Sequence, residues 1–265
     1  MIVLGLVKEL RAIMPLLGGR KLYSELALRM AEHGIKMGRD QLFDLLRFHR
    51  LLIRRRRRMV RTTDSNHWLK KNPNLTKGLI VTESEQLWVG DITYIRTMQG
   101  FCYLSLLTDT YSTKIVGYSL WPTLEATGCI EALNMAVNSR KKKENFLIHQ
   151  SDRGIQYCSA TYVSILQNCG IDISMTQSGS PYENALAERV NGIIKNEFFP
   201  KRVYQNYKEA KKAIKQIVEI YNKRRPHSSL DFLTPESAHE QSGQFTKRWK
   251  TYRKARKTSE VQIID

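Results

Sequence analysis

Three acidic residues, Asp91, Asp152 and Glu188, stand in sequence contexts that favour metal chemistry. Asp91 lies in the segment 87–95, whose apolar and β-branched composition predicts a strand. Asp152 ends the apolar run 146–152, and Glu188 lies on a predicted helix further along the chain, with 35 residues between the two acids. A strand, a strand end and a following helix that each supply one acid predict a set of hard oxygen ligands for divalent metal.

The chemistry that such a set performs is phosphodiester cleavage and joining. That reaction needs an activated nucleophile and a stabilised leaving oxygen, which two divalent ions about 3.5–4 Å apart supply. Mg²⁺ is the expected ion, because it prefers carboxylate oxygen and retained water, and Mn²⁺ is expected to substitute. Without metal, mutual repulsion is expected to keep at least one carboxyl protonated. A single strand Asp is ordinarily structural, so the set of three is the specific signal, and it marks Asp91, Asp152 and Glu188 as catalytic and metal-binding.

The helix around Glu188 carries further polar residues at helical spacing. Asn184, Asn191 and Lys195 project within about 60° of Glu188, and the apolar residues lie on or near the opposite side. The helix is therefore expected to pack its apolar stripe inward and to present these residues outward for DNA binding. Lys195 is expected to hold a DNA phosphate. A solvated surface lysine, and a helix cap in the case of Asn184, are the alternatives.

The charge of the chain is divided unevenly. The 265 residues have a formal net charge of +18. Residues 1–85 carry 18 Lys and Arg against 8 Asp and Glu, residues 86–200 carry 9 against 10, and residues 201–265 carry 16 against 7. Basic flanks around a nearly neutral middle indicate a polyanionic partner, of which nucleic acid is the foremost candidate. The alternative is a generally basic, soluble protein.

The four cysteines and the apolar segments favour a cytosolic protein. Cys102, Cys129, Cys158 and Cys169 have no C-x-x-C spacing, so neither a zinc site nor a disulfide framework is expected. No apolar run reaches the ~18–20 residues that span a bilayer. The apolar start at 1–7 is followed by charged residues and is interpreted as helix, not signal peptide. The expected location is the cytoplasm.

The N-terminal segment 1–61 is predicted to be a helical DNA-binding domain. One helix is expected over Arg20–His33, with Leu22, Leu26, Leu28 and Met30 on its apolar face, and a second over Arg39–Leu52. Two short helices around a Gly-containing turn resemble a helix-turn-helix unit, and a helical packing module is the alternative. The basic residues that follow are expected to lie along DNA phosphates, and they are Arg54, Arg55, Arg56, Arg57, Arg58 and Arg61.

The remainder is predicted as a linker at 62–85, a catalytic core at 86–241 and a basic tail at 242–265. Strands are expected at 87–95, 101–109, 114–121, 146–151 and 171–175, and helices at 123–139, 159–169 and 207–223. Three consecutive strands followed by alternating helix and strand predict an α/β fold with a mixed five-stranded sheet flanked by helices. His149 is interpreted as a sheet residue and Trp88 as core.

Three motifs resemble the DDE transposases of bacterial insertion sequences. They are Trp-Val-Gly-Asp-Ile-Thr-Tyr-Ile (88–95), His-Gln-Ser-Asp-Arg-Gly-Ile-Gln-Tyr (149–157) and Ser-Pro-Tyr-Glu-Asn-Ala-Leu-Ala-Glu-Arg-Val-Asn (180–191). The chain looks like an OrfB-type, second-reading-frame product with a core close to retroviral integrases. The 35-residue interval and the basic residue seven positions past the Glu fit the pattern, and Arg-Pro-His-Ser-Ser-Leu (225–230) resembles the segment that closes the core.

The resemblance implies a ribonuclease-H-like fold and Mg²⁺ held by Asp91, Asp152 and Glu188. It implies nicking of element ends, followed by attack of the freed 3′-hydroxyl on another phosphodiester. It also implies a homo-oligomer on DNA and a first-reading-frame product that is fused to this chain or acts as its partner. A non-transposing nuclease of the same fold and a DNA-binding regulator are the alternatives.

Overall fold

Three helices form the N-terminal part of the chain: α1 (Ile2–Ile13), α2 (Gly19–Glu32) and α3 (Arg39–Phe48). The structure, a computed structural model, describes residues 2–53, 69, 71–177, 184–198 and 203–245. The two predicted helices are present, but α3 ends before the predicted Leu52. Leu28 is 77% exposed, so its placement on the apolar face was wrong. It lies two positions from the buried Leu26, and two positions turn a helix by about 200°.

Close packing and a left-handed residue shape this helical part. A Cβ atom on Gly19 would lie 2.8 Å from Cζ of Phe43, so glycine allows α2 and α3 to approach each other. Gly34 has a φ of +69° and follows the end of α2, where such a conformation stops a helix. That these helices act as a DNA-binding helix-turn-helix stays a prediction.

A five-stranded mixed sheet forms the centre of the fold, as predicted. Its strands are β1 (Leu87–Thr97), β2 (Gly100–Asp109), β3 (Ile115–Trp121), β4 (Ile148–Ser151) and β5 (Asp172–Met175). They are arranged in the order β3-β2-β1-β4-β5. β1, β2 and β3 pair antiparallel, whereas β4 pairs parallel with β1 and with β5. The hairpin between β1 and β2 is tight, and Gly100 in it has a φ of +121°.

Helices cover both faces of the sheet. They are α4 (Ala126–Ser139), α5 (Ala160–Asn168), α6 (Ala185–Ile193), α7 (Tyr207–Arg224) and α8 (Pro235–His239). A π-helical turn, Ile194–Phe198, continues α6 directly. α4 lies so close to β3 that a Cβ on Gly117 would stand 2.0 Å from the carbonyl oxygen of Ala132.

Two hydrophobic clusters divide the interior. One joins α4 and α5 to one face of the sheet, with Trp88, Leu107 and Tyr162 among its buried members. The other contains residues of β1, β2, β3, α6 and α7 together with the buried residues of α1, α2 and α3. The N-terminal helices are therefore packed onto the core, although the predicted domain boundaries themselves stay a prediction.

The predicted linker and tail are described only in part. Residues 71–76 lie along β5, where Leu75 N–H donates to Ser174 Oγ at 2.7 Å and Met175 N–H donates to the Pro73 carbonyl at 3.2 Å. This segment therefore covers the outer edge of β5. Residues 246–265 of the tail lie outside the described residues. No described helix combines the length and apolar composition that a membrane crossing requires.

Candidate active site

Asp91 and Asp152 meet on two adjacent parallel strands. In the β1–β4 pairing, Val89 stands beside Gln150. Two residues further along each strand bring Asp91 level with Asp152, which directly follows β4. Because side chains two positions apart point to the same face of a strand, the pairing register itself brings the two carboxyl groups together. The charge of Asp152 acts directly on Asp91.

The carboxyl group of Asp91 is closely surrounded by protein. Burial, and next the charge of Asp152, raise the pKa of Asp91 to about 7, and Glu188 adds a smaller contribution in the same direction. Two hydrogen bonds act the other way. Asn191 Nδ2 donates to Oδ2 of Asp91 at 2.6 Å, and the Ile92 N–H donates to Oδ1 at 3.0 Å. Near neutral pH this carboxyl is therefore close to half-ionised.

Asp152 is held by the turn that follows β4. The Gly154 N–H donates to its Oδ1 at 3.0 Å, which is a local turn of the kind that Asp favours. A Cβ on Gly154 would itself lie 3.0 Å from that oxygen, so a side chain at this position would press on the carboxylate. The half-buried Asp152 side chain is thus fixed from the backbone.

Glu188 lies in the first turn of α6 and is exposed. Its N–H donates to the Asn184 carbonyl at 3.1 Å, and a carboxylate in the first turn is favoured by the helix dipole. Its charge reaches Asp91, so all three acids belong to one region. Among the described residues, however, no three His, Cys, Asp or Glu side chains form a ready-made metal cluster.

Asn184 and Asn191 do not face outward with Glu188, and that part of the sequence interpretation was wrong. Both are buried, at 8% and 5% exposure. Asn184 Nδ2 donates to the Gly90 carbonyl at 3.4 Å, and Asn191 donates to Asp91. The helical spacing correctly groups them on one side, but that side faces β1. They join the catalytic helix to the strand that carries Asp91, and DNA contact by either of them stays untested.

Lys195 lies in the π-helical turn and is directed toward β1. Its Nζ donates to Thr93 Oγ1 at 3.1 Å and stands 3.7 Å from the ring centroid of Tyr94. Burial lowers the pKa of Lys195, and the nearby Asp91 opposes that shift. The lysine is therefore a half-buried cation beside the acidic site. Sequence analysis missed Thr93 and Tyr94, although Thr93 shares a strand face with Asp91.

The predicted basic residues of the N-terminal domain cannot be placed beside this site. Arg54, Arg55, Arg56, Arg57, Arg58 and Arg61 all lie outside the described residues.

A buried aromatic layer supports the strand end behind Asp91. His149 Nε2 and the Tyr162 hydroxyl are 2.9 Å apart. A Cβ on Gly90 would lie 3.2 Å from that imidazole nitrogen and 3.3 Å from the Tyr157 hydroxyl. Burial lowers the pKa of His149 to about 4, so the ring is neutral. His149 and Trp88 are buried as predicted, at 0% and 1% exposure.

Comparison with known proteins agrees with this fold. The integrase core domain family matches residues 81–181 and, through a second model of the same description, residues 169–235. An uncharacterized 31 kDa protein of insertion element IS600 from Shigella sonnei is 39% identical over 227 residues, covering 84% of this chain and 81% of the relative. The transposase for insertion sequence element IS629 from Shigella sonnei is 31% identical over 221 residues, covering 83% and 73%.

A solved structure shares the fold. It is the simian T-cell lymphotropic virus intasome in complex with PP2A regulatory subunit B56 gamma, with a TM-score of 0.53 and 16% identity, covering 89% of this chain and 81% of that chain. The predicted ribonuclease-H-like, integrase-type arrangement of sheet and helices is thereby confirmed. Since two relatives above 30% identity are matched over more than two thirds of their length, this chain belongs to the insertion-sequence transposases that carry an integrase core domain.

Proposed function

We propose that this DNA transposase nicks DNA at the ends of its insertion sequence and joins the freed 3′-hydroxyl to a target phosphodiester. The observation that carries the proposal is the level placement of Asp91 and Asp152, with the pKa of Asp91 raised to about 7 by burial and by Asp152. A carboxyl pair that is only partly ionised for lack of countercharge is suited to a divalent cation.

Asp91, Asp152 and Glu188 are the residues that would hold the metal, which is Mg²⁺ with Mn²⁺ as a substitute. Carboxylate oxygens alone, without thiol or imidazole ligands, fit these hard cations. The mutual repulsion of Asp91 and Asp152 supports this assignment. Glu188 supports it because its charge also raises the pKa of Asp91. Bound divalent ions would activate the attacking water or hydroxyl and stabilise the leaving oxygen.

The protein's own contribution is to fix the acids before the reaction. Asn191 and the Ile92 amide each occupy one oxygen of Asp91, and the Gly154 amide occupies one oxygen of Asp152. Each carboxylate oxygen of Asp91 keeps a further lone pair for other partners. Ligands held in this way need little reorganisation, which is how positioning lowers a reaction barrier.

Lys195 is the residue that we assign to a DNA phosphate beside the metals. Its ammonium carries three protons, and the contacts with Thr93 and with the ring of Tyr94 leave hydrogen-bonding capacity for an anion. The position is close enough to Asp91 for the two charges to interact. A cation held there would align the scissile strand without being a metal ligand.

Double-stranded DNA, as element ends and as target, is the proposed partner. The charge of the basic flanks and the five arginines at 54–58 support it. A homo-oligomer that brings two ends together, and a first-reading-frame product that is fused to this chain or acts with it, complete the proposal. A regulator or a non-transposing nuclease is not favoured, because the matched relatives include a named transposase.

A joining assay with a pre-nicked 3′-hydroxyl duplex and Mg²⁺ tests the proposal. Asp91→Asn is expected to abolish nicking and joining while DNA binding stays within about threefold of wild type, because the asparagine keeps the shape but not the charge. Asp172→Asn, an exposed aspartate on β5, is the matched control and is expected to join normally. Full activity in Asp91→Asn would refute the assignment, and nicking without any joined product would indicate a plain nuclease.

A further inference from the structure

The π-helical turn after α6 is held from two opposite sides. Lys195 leaves it toward Thr93 and Tyr94 on β1. Glu197, two residues later, is directed to Arg225 at the end of α7 and to Lys21 on α2. The π-helix is rare, occurs mostly as single turns within α-helices and is frequent at functional sites. Its persistence here therefore depends on what holds its side chains.

Arg225 provides the stronger hold. Its Nε and Nη2 donate to the two carboxylate oxygens of Glu197, each at 2.8 Å, in the paired geometry that gives Arg–carboxylate contacts their strength. Arg225 is 1% exposed. Although burial would raise the pKa of Glu197, the hydrogen bonds and charge of Arg225 lower it, so the carboxylate is ionised. The pair is thus a true buried ion pair.

His227 and Tyr221 complete the surroundings of Arg225. The Arg225 Nη1 lies 2.6 Å from Nε2 of His227, and because arginine can only donate, the imidazole accepts there. Burial, and next the charge of Arg225, lower the pKa of His227, which agrees with a neutral ring. The proton of that ring is then on Nδ1, facing Thr113 Oγ1 at 3.4 Å. The guanidinium also lies 5.7 Å from the ring centroid of Tyr221.

The N-terminal helices reach the same glutamate twice. Lys21 Nζ lies 3.3 Å from Oε1 of Glu197, and the Leu16 N–H donates to the Glu197 carbonyl at 3.2 Å. Burial and the charge of Arg225 lower the pKa of Lys21 to about 8. The attraction between Lys21 and Glu197 therefore does not offset the cost of removing the ammonium group from water. Because burial outweighs this attraction, the contribution of Lys21 lies in where it holds Glu197.

We propose that Glu197 is a positioning residue for the DNA-joining reaction. Anchored by Arg225 and Lys21, it holds the π-helical turn in the register that places Lys195 over Tyr94 and, on the preceding turn, Asn191 against Asp91. The geometry of α6 then depends on how the N-terminal helices pack against the core. This inference rests on the proposed function, since it assigns the anchor a part in that reaction.

The test compares Glu197→Gln, Lys21→Met and Lys21→Arg in the full chain. Glu197→Gln keeps shape and loses charge, and it is expected to lower the single-turnover joining rate at saturating DNA by about 10- to 100-fold, as expected for misplacement near 1 Å. The DNA concentration for half-saturation is expected to stay within about threefold. Lys21→Met is expected to lose about three- to tenfold in rate, and Lys21→Arg, which keeps the charge, to stay within about threefold of wild type. Lys143→Met, at an exposed lysine, is the matched control.

Amide hydrogen exchange supplies a readout that does not depend on activity. Glu197→Gln and Lys21→Met are expected to raise exchange at 194–198 and at 16–21 while the strands of the sheet keep wild-type protection. A purely structural role would instead raise exchange throughout the core. Thermal unfolding of each variant is measured alongside, and only variants that melt above the assay temperature are compared.

The proposal is overturned if folded Glu197→Gln joins DNA at the wild-type rate, or loses rate with unchanged exchange at 194–198. If Glu197→Gln does not fold, the Lys21 pair decides: equal rates for Lys21→Met and wild type overturn the proposal, and a loss that Lys21→Arg recovers supports it. A wild-type chain that never joins DNA would refute the proposed function instead. The exchange of Glu197→Gln would then still report whether this residue holds the turn.

Discussion

Replacing Asp91 by asparagine is expected to stabilise the metal-free protein at neutral and higher pH. Burial and the charge of Asp152 raise the pKa of Asp91 from 3.8 to about 7. The folded state therefore binds more protons than the unfolded state between about pH 4 and pH 7. The unfolding free energy of the wild type must therefore fall as the pH rises through that window, because the Asp91 carboxyl ionises at a higher pH in the folded chain than in the unfolded chain. An asparagine at this position has no such dependence.

The magnitude follows from the size of the shift. About 3 pKa units at about 1.4 kcal/mol each give an upper value of about 4 kcal/mol at pH 8. Asp91 is partly exposed, and the denatured chain keeps some structure, so about 2–3 kcal/mol is the expected gain. The hydrogen bond from Asn191 need not be lost. The Oδ1 of Asn191 has no hydrogen-bond partner among the residues that the structure describes, so the amide can flip and accept from Asn at position 91.

Denaturant unfolding in a chelator, at pH values from 4 to 8, measures this difference directly. The stability of Asp91→Asn minus that of wild type is expected to be near zero at pH 4 and to rise toward pH 8. Adding Mg²⁺ at pH 8 is expected to stabilise wild type and not the variant, which removes most of the difference. Asp172→Asn, at the exposed end of β5, is expected to show a flat difference. A pH-independent difference for Asp91→Asn would refute the reasoning.

Two further substitutions test the fold around the site. Gly117→Ala is expected to cost about 2–4 kcal/mol of unfolding free energy, because its Cβ would stand 2.0 Å from the Ala132 carbonyl oxygen and α4 would have to move. His239→Gln is expected to destabilise most below about pH 6 and progressively less as the pH rises. Burial alone would lower the pKa of His239, but the carboxylates of Asp109 and Glu85, 3.7 and 3.8 Å from its ring nitrogens, raise it, so its charged form contributes stability that is lost above the raised pKa.

The controls for these substitutions come from the same chain. Gly18→Ala has open space around the added Cβ and an ordinary φ of −67°, so unfolding free energy is expected to change by less than about 0.5 kcal/mol. Equal effects of Gly117→Ala and Gly18→Ala would contradict the close approach of α4 to β3. Likewise, a loss in His239→Gln that grows toward high pH would contradict a charged imidazole between two carboxylates.

The fold was predicted mainly from the strand patterns and the motif residues. The prediction that failed at the candidate site concerned which side of the helix around Glu188 faces the sheet. The alternation and turn residues of 87–121 fix an antiparallel meander, and β4 and β5 follow as short apolar runs between helices. The helical spacing around Glu188 groups Asn184 and Asn191 correctly. Spacing gives only relative angles, however, and the side that faces β1 is decided by where Gly90 and Asp91 offer a carbonyl and a carboxylate.

The ion-pair anchor was beyond sequence reasoning for a different reason. Glu197 and Arg225 are 28 residues apart, and each lies among other charged residues. Composition alone cannot show which of these charged residues form a pair. The partner on α2, Lys21, is 176 residues from Glu197, and it looks like an ordinary surface lysine in the sequence. Only the tertiary arrangement shows that all three charged side chains are largely withdrawn from solvent, at 19% exposure for Lys21, 22% for Glu197 and 1% for Arg225.

The few residues between Asn191 and Glu197 therefore carry three different tasks. Asn191 fixes the oxygen of Asp91, Lys195 provides a cation beside it, and Glu197 ties the same turn to Arg225 and to the N-terminal helices. In a regular α-helix successive side chains are rotated by about 100° about the axis. In the π-helical turn this angle is different, so the side chains point in directions that an α-helix would not give them. A change in the N-terminal helices that moves Lys21 or Leu16 must therefore change the position of Lys195, because both residues contact Glu197 in the turn that also carries Lys195. The predicted recognition of DNA by the N-terminal helices and the proposed metal site would in this way be mechanically coupled through Glu197.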